Sequence, residues 1–132
     1  MKFNFSKLNE PVWFYFDDQP ENGGVCIRVA PSKEVERICR ICSTKQPAEY
    51  RGGVRYEIPD KVDDKKYSQM IWDYVIYDWD ILDENGNKPE LTIENKYKLM
   101  SEEPAFSTFV VQKLETLKIL QSKREDESEK NL

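Results

Sequence analysis

The chain has 132 residues, of which 39% are hydrophobic, 12% aromatic and 34% charged, and its formal net charge is −5. This length fits a single domain, and the aromatic content excludes a fully disordered chain. An acidic chain is a poor candidate for nucleic-acid binding, and no apolar run approaches the roughly 20 residues of a membrane-spanning helix.

Histidine is absent, and cysteine occurs three times. Without histidine the chain lacks the commonest general base and metal ligand, which excludes a His-dependent triad or a Cys2His2 zinc site. An odd number of cysteines favours a reducing compartment, and the first residues lack the apolar core of a secretory signal. We therefore expect a cytoplasmic protein.

Two extended segments open the chain. Residues 12–16 and 25–29 are rich in β-branched and aromatic side chains, and residues 17–24 contain the turn formers Asp, Pro, Asn and Gly. This pattern is typical of a β-hairpin with a long loop.

Two amphipathic segments follow the hairpin. Pro31-Ser32 offers an N-cap, and the apolar spacing predicts one helix over about residues 33–44 and another over about residues 63–73. The prolines and glycines between them indicate a loop with a short strand at residues 54–58.

An alternating segment spans residues 75–82, and it predicts a strand with Tyr77 and Trp79 on one face. Asn85-Gly86 predicts a tight turn after this strand, and Thr92 is a good N-cap for a short helix. The same face would also include Val75 and Ile81.

The last helix begins with residues 101–104, where acidic residues and Pro104 suit a helix start. Its apolar stripe consists of Phe106, Phe109, Val110, Leu114, Leu117 and Leu120. The sequence thus predicts an α+β fold: an N-terminal β-hairpin, a mainly helical region with a short extended segment around Trp79, and a long C-terminal helix. Residues 1–121 would form one domain, and residues 122–132 a polar tail that is disordered or a frayed helix end.

Cys39 and Cys42 form a Cys-x-x-Cys pattern, the only one in the chain that is typical of redox-active or metal-binding sites. Thiol–disulfide motifs normally lie at helix N-termini, whereas these cysteines fall in the second half of a predicted helix, on its apolar face. Cys26 adds only a third soft ligand to the four that structural zinc requires. We interpret the cysteines as small core residues, with a metal completed by a carboxylate or a second subunit as the alternative.

An acidic run surrounds Trp79 and consists of Asp73, Asp78, Asp80, Asp83 and Glu84. A divalent-cation site or a glycosidase-type carboxylate pair is one interpretation. Gly86 does not stand where an EF-hand loop requires its glycine, so we favour a solvated turn with flanking charges.

A second apolar strip lies on the last helix, away from its main stripe. Val111 and Ile119 flank Glu115 and lie near Thr108 at helical spacing. We interpret these four residues either as a surface for a partner helix or as chance exposure of two apolar side chains.

The chain reads Asp-Glu-Asn-Gly-Asn-Lys-Pro over residues 83–89, with Trp79 before this turn, Thr92-Ile93-Glu94-Asn95 after it, and Pro104-Ala105-Phe106 further on. This order resembles a segment of the tail assembly chaperones of long-tailed bacteriophages and prophages. The resemblance covers roughly residues 70–120. Its residues have structural roles: Trp79 anchors a strand, Asn85-Gly86 reverses the chain and Thr92 caps a helix.

The resemblance implies a non-enzymatic protein without cofactor or metal, acting in the cytoplasm of a bacterial host. Such a protein binds the tape measure protein, keeps that aggregation-prone chain soluble and helps to recruit tail tube protein; self-association is a further expectation. One alternative is a structural virion protein, in the tail or at the head–tail junction. A second is a small thiol- or metal-dependent protein that uses Cys39 and Cys42.

Overall fold

The computed structural model describes residues 3, 5 and 8–130, with side chains as far as residue 122. Its helices are α1 (Ser32–Cys42), α2 (Asp64–Val75), α3 (Ile93–Glu102) and α4 (Pro104–Lys130). Its strands are β1 (Val12–Tyr15), β2 (Gly24–Ile27), β3 (Ser43–Thr44), β4 (Glu49–Arg51), β5 (Val54–Tyr56), β6 (Lys61–Val62) and β7 (Ile76–Asp80). The predicted α+β fold is confirmed, with its N-terminal hairpin, its strand around Trp79 and its long last helix.

A three-stranded antiparallel sheet has the order β1-β2-β7, so the second strand of the N-terminal hairpin is its centre. Every residue of β2 is buried, as expected for a strand that pairs on both edges. Two smaller two-stranded sheets pair β3 with β6 and β4 with β5.

The Gly23-Gly24 pair does more than turn the chain. Gly23 has a φ of +80°, and a Cβ at Gly24 would lie 2.2 Å from the carbonyl oxygen of Phe14. A Cβ at Gly23 would lie 2.2 Å from the carbonyl oxygen of Asp80, at the end of β7. Both positions therefore exclude side chains, Gly23 because β7 approaches it and Gly24 because β1 does.

The predicted alternation of side chains along residues 75–82, which include β7, is wrong. Tyr77 is 54% exposed whereas Trp79 is fully buried, and Val75 is the buried last residue of α2. The register between β2 and β7 shifts between Cys26 and Ile27, which leaves Tyr77 without a partner in the pairing. A bulge of this kind moves the following side chains to the other face, which a strict period of two does not anticipate.

One apolar core joins the sheet to the helices, and α4 packs against β2 and against α3. Its fully or nearly buried members are Val25, Ile27, Val75, Ile76, Trp79, Phe106, Val110 and Leu117. Outside this core, α1 packs against α2 and buries Ile38 and Cys42.

The helix boundaries differ from the expected ones at several ends. Helix α1 begins at Ser32, with Pro31 as an N-cap that makes no side-chain bond, and it stops at Cys42 because residues 43–44 pair with β6. Helix α2 continues two residues beyond Asp73. The backbone of α4 is helical through Lys130, across most of the expected tail; residues 131 and 132 lie outside the described residues. The division of the chain at residue 121 stays a prediction.

Candidate partner-binding surface

Helix α4 has one face in the core and the opposite face in solvent. Val110 is fully buried, Leu117 is 3% exposed and Phe106 is 7% exposed. Leu120, predicted as part of this stripe, is 42% exposed, so that prediction is wrong. Leu120 is not among the hydrophobic residues that pack against the core.

The opposite face of α4 carries the exposed strip, which we define as Thr108, Val111, Glu115 and Ile119. All four residues are exposed, with Val111 at 45% and Ile119 at 55%. Their spacing of three or four residues places them in one row along the helix. The structure therefore brings the four predicted partner-binding residues together; whether they bind a partner stays a prediction.

The exposed strip contains one charged residue, Glu115, which pairs with a neighbouring lysine. The Lys118 ammonium lies 3.3 Å from a Glu115 carboxylate oxygen, one turn along the helix. Because both side chains are about half exposed or more, this pair contributes little to stability and is easily rearranged. The strip thus combines the apolar side chains of Val111 and Ile119 with an exposed charge between them, which suits contact with an amphipathic helix.

The residues of the motif around Trp79 make contacts that stabilise the fold. The Trp79 indole nitrogen donates to the carbonyl oxygen of Pro89 at 3.1 Å, and its ring meets that of Phe106 edge-on at 6.1 Å between centroids. The Thr92 hydroxyl oxygen accepts from the backbone N–H of Asn95 at 3.2 Å, as an N-cap does.

The predicted turn forms at Asn85-Gly86. One carboxylate oxygen of Asp83 accepts from the backbone N–H groups of Asn85 and Asn87, at 2.9 Å each, and Gly86 has a φ of +78°. Asp83 therefore stabilises the turn, as the interpretation of a solvated turn requires.

Asp73 and Asp78, of the same acidic run, each have partners of their own. Asp73 lies beside the Lys96 ammonium, and Asp78 accepts from the backbone N–H of Trp79 and lies 3.9 Å from the Lys88 ammonium. Within the part of the chain that the structure describes, no three Cys, Asp or Glu side chains gather as metal ligands would.

The three cysteines lie in different surroundings. Cys42 is buried with its sulfur 3.8 Å from that of Met70, as predicted for a core residue, whereas Cys39 is exposed, which the prediction had wrong. Burial, reinforced by the Asp78 carboxylate, raises the pKa of the Cys26 thiol and so keeps it neutral. The inward face of α1 consists of the half-buried Val35 and the buried Ile38 and Cys42, and Cys39 falls at its margin.

Sequence reasoning missed a second surface, which we call the acidic cleft. It is an open cleft of about 730 Å³ between the hairpin loop, the end of β7 and the start of α4. Its apolar lining includes Phe16, Leu82, Leu99, Phe106 and Phe109. Its carboxylates are Glu21, Asp80, Asp83, Glu84 and Glu103, and none of its described lining residues is Lys or Arg. Asp80, Asp83 and Glu84 belong to the acidic run seen in the sequence, but Glu21, Glu103 and most of the apolar lining come from distant segments, so no local pattern could have indicated the cleft as a whole.

Comparison of the chain with family models, with curated proteins and with solved structures finds no match. Among the described residues, none of the helices combines the length and the apolarity needed to cross a lipid bilayer.

Proposed function

We propose that this protein is a non-enzymatic tail assembly chaperone of a long-tailed bacteriophage or prophage, working in the cytoplasm of the bacterial host. It binds the tape measure protein and helps to bring tail tube protein to the growing tail. The observation that carries the proposal is the exposed strip on α4, in a chain whose motif around Trp79 resembles that family.

The geometry of α4 supports a role in binding a helix. Its core face fixes the helix to the sheet, so the exposed strip is held on a rigid element. A row of residues at i, i+3 and i+4 spacing is the surface that packs against an apolar stripe of a second helix. A tape measure protein is long and helical, and it presents such stripes along its length.

The composition supports the same role. A chain with a net charge of −5 resists non-specific aggregation at neutral pH and remains in solution while it covers an apolar partner. Several copies along one tape measure protein would together hide its apolar stripes.

Co-expression tests the proposal. A tape measure protein that is insoluble alone should move to the soluble fraction when this chain is produced with it, as measured by densitometry of clarified lysates. An unchanged soluble fraction, with this chain folded and abundant in the same lysate, would contradict the proposal.

Mass spectrometry of purified virions separates the proposal from its structural alternative. A chaperone leaves before the particle is finished, so the chain should be missing from virions that contain tape measure and tail tube proteins. Stoichiometric amounts in the particle would instead identify a structural virion protein.

A further inference from the structure

The apolar floor of the acidic cleft is a continuation of the core. Phe106 is a core residue at 7% exposure, and Phe16, Ile81, Leu99 and Phe109 are partly buried side chains that pack against the same core. The rings of Phe16 and Phe109 lie against each other, with 4.6 Å between their centroids. The floor is therefore formed in the chain alone, and it presents apolar side chains to the opening of the cleft.

The rim of the cleft carries five carboxylates. Within the part of the chain that the structure describes, no lysine or arginine nitrogen lies within 4.0 Å of their oxygens. Asp73 and Asp78, which lie outside the cleft, each have a lysine partner. Like charges around one opening repel each other, so the rim favours a ligand that brings positive charge. The five residues are Glu21, Asp80, Asp83, Glu84 and Glu103.

A second depression adjoins the acidic cleft along α3. It has a volume of about 360 Å³, and it shares Pro89, Leu99 and Glu103 with the cleft. Its other lining residues are Asn95, Lys98 and Glu102. Because both depressions are open and share part of their lining, a long ligand can lie across both, whereas a compact one would fill only one of them.

The lining of the cleft disfavours several classes of ligand. Its rim repels nucleic acids and anionic lipid surfaces, since both present negative charge. Among the described residues no three carboxylates gather as metal ligands would, so a divalent cation would lack its usual set of oxygen ligands. A polyamine would meet the rim charges but would leave the apolar floor uncovered.

We propose that the acidic cleft binds a peptide segment of a partner protein, one that carries lysine or arginine between leucine or aromatic residues. The apolar side chains of the segment cover the floor, and its cations lie against the rim carboxylates. Because a peptide spaces its charges along its length, it reaches carboxylates that do not gather around one point. The proposal rests on the cleft alone and does not depend on the exposed strip or on the proposed chaperone function.

Fluorescence anisotropy with labelled synthetic peptides tests the proposal. The probe is a short peptide in which lysine alternates with leucine and phenylalanine. One comparison peptide has glutamate in place of every lysine, and the other has serine in place of every apolar residue. The wild-type chain should bind the probe with a dissociation constant of about 1–100 µM, and each comparison peptide at least about tenfold more weakly. Equal binding of the three peptides, or no binding of the probe, would overturn the proposal.

Charge reversal at the rim locates the binding. Glu21→Lys with Glu84→Lys changes two exposed rim carboxylates and should weaken binding of the probe more than about tenfold. Asp83 is left unchanged because its carboxylate stabilises the turn after β7. Glu10→Lys with Glu36→Lys is the control, since both residues are exposed outside the cleft and the net charge changes equally. An equal loss in the control would show attraction by net charge alone and would overturn the proposal.

An apolar substitution tests the other half of the recognition. Leu82→Ser should weaken binding of the probe about fivefold, because Leu82 lines the cleft and is 69% exposed without a ligand. Leu8→Ser is the control, at 57% exposure outside the cleft, and should bind as the wild-type chain does. Circular dichroism checks that each variant is folded, and the comparison of peptides on the wild-type chain holds whichever variants fold. Unchanged binding by folded Leu82→Ser, or spermidine binding as tight as that of the probe, would overturn the proposal.

Discussion

Lys96 is the one buried charged residue in the described part of the chain, at 6% exposure. Its ammonium donates to the Asp73 carboxylate at 3.0 Å and to the Asp73 carbonyl oxygen at 3.1 Å. It therefore lies at the C-terminal end of α2, where the carbonyl groups of a helix favour a positive charge. A side chain of α3 thus fixes the end of α2, from which β7 continues.

Removing the Asp73 side chain should lower the free energy of unfolding more than replacing Lys96 does. Asp73→Ala leaves the buried ammonium with a single carbonyl oxygen, and we expect it to lower the free energy of unfolding by about 2 kcal/mol. Lys96→Met removes the buried charge and leaves a half-exposed carboxylate to water, so we expect a loss below about 1 kcal/mol. Urea unfolding measures both, and a larger loss for Lys96→Met would contradict this account.

The three thiols should differ in reactivity. Cys39 is exposed, whereas Cys26 and Cys42 are buried, and the raised pKa of Cys26 further lowers its thiolate fraction at neutral pH. We expect one thiol to react rapidly with Ellman's reagent and two to react only on unfolding. Cys39→Ser should abolish the rapid phase, and a rapid phase that survives this substitution would show that the core opens readily.

Helix α4 presents different faces to the core and to solvent. Val110 is fully buried and its neighbour Val111 is 45% exposed, so adjacent valines belong to the core and to the exposed strip. The helical period in the sequence was sufficient to predict this division, because residues a full turn apart share one face.

The adjacent valines give a matched pair of substitutions. Val110→Asp buries an unpaired carboxylate, and we expect it to cost more than about 3 kcal/mol of unfolding free energy. Val111→Asp leaves the new carboxylate in water and should cost about 1 kcal/mol or less. Thermal unfolding followed by circular dichroism measures both. Equal destabilisation would place Val111 in the core and remove it from the exposed strip.

The limits of prediction from sequence are also clearest at this scale. Caps and turns were predictable at Thr92 and Asn85-Gly86, since their side-chain chemistry is local. The side of the sheet on which Tyr77 lies was not predictable, because it depends on a register shift between β7 and β2. The end of α1 at Cys42 depends likewise on the pairing of β3 with β6, which lies outside the helix.

At the scale of the whole molecule, the two candidate surfaces differ in how far sequence could indicate them. The exposed strip lies on one helix, so its spacing predicted its members Thr108, Val111, Glu115 and Ile119. The acidic cleft is assembled from the hairpin loop, the end of β7, α3 and α4, and only tertiary packing brings them together. Glu21 and Glu103 both line the cleft but lie far apart in the sequence, so no sequence pattern predicts that they meet.

We propose that the exposed strip binds the tape measure protein, and co-purification of the two proteins tests this. Tagged wild-type chain should retain the tape measure protein, while Val111→Asp with Ile119→Asp should retain about tenfold less and remain folded. Ile41→Asp is the control, because Ile41 is a similarly exposed isoleucine on α1, at 44% against 55% for Ile119. Equal retention by the folded double variant and the wild-type chain would contradict the account.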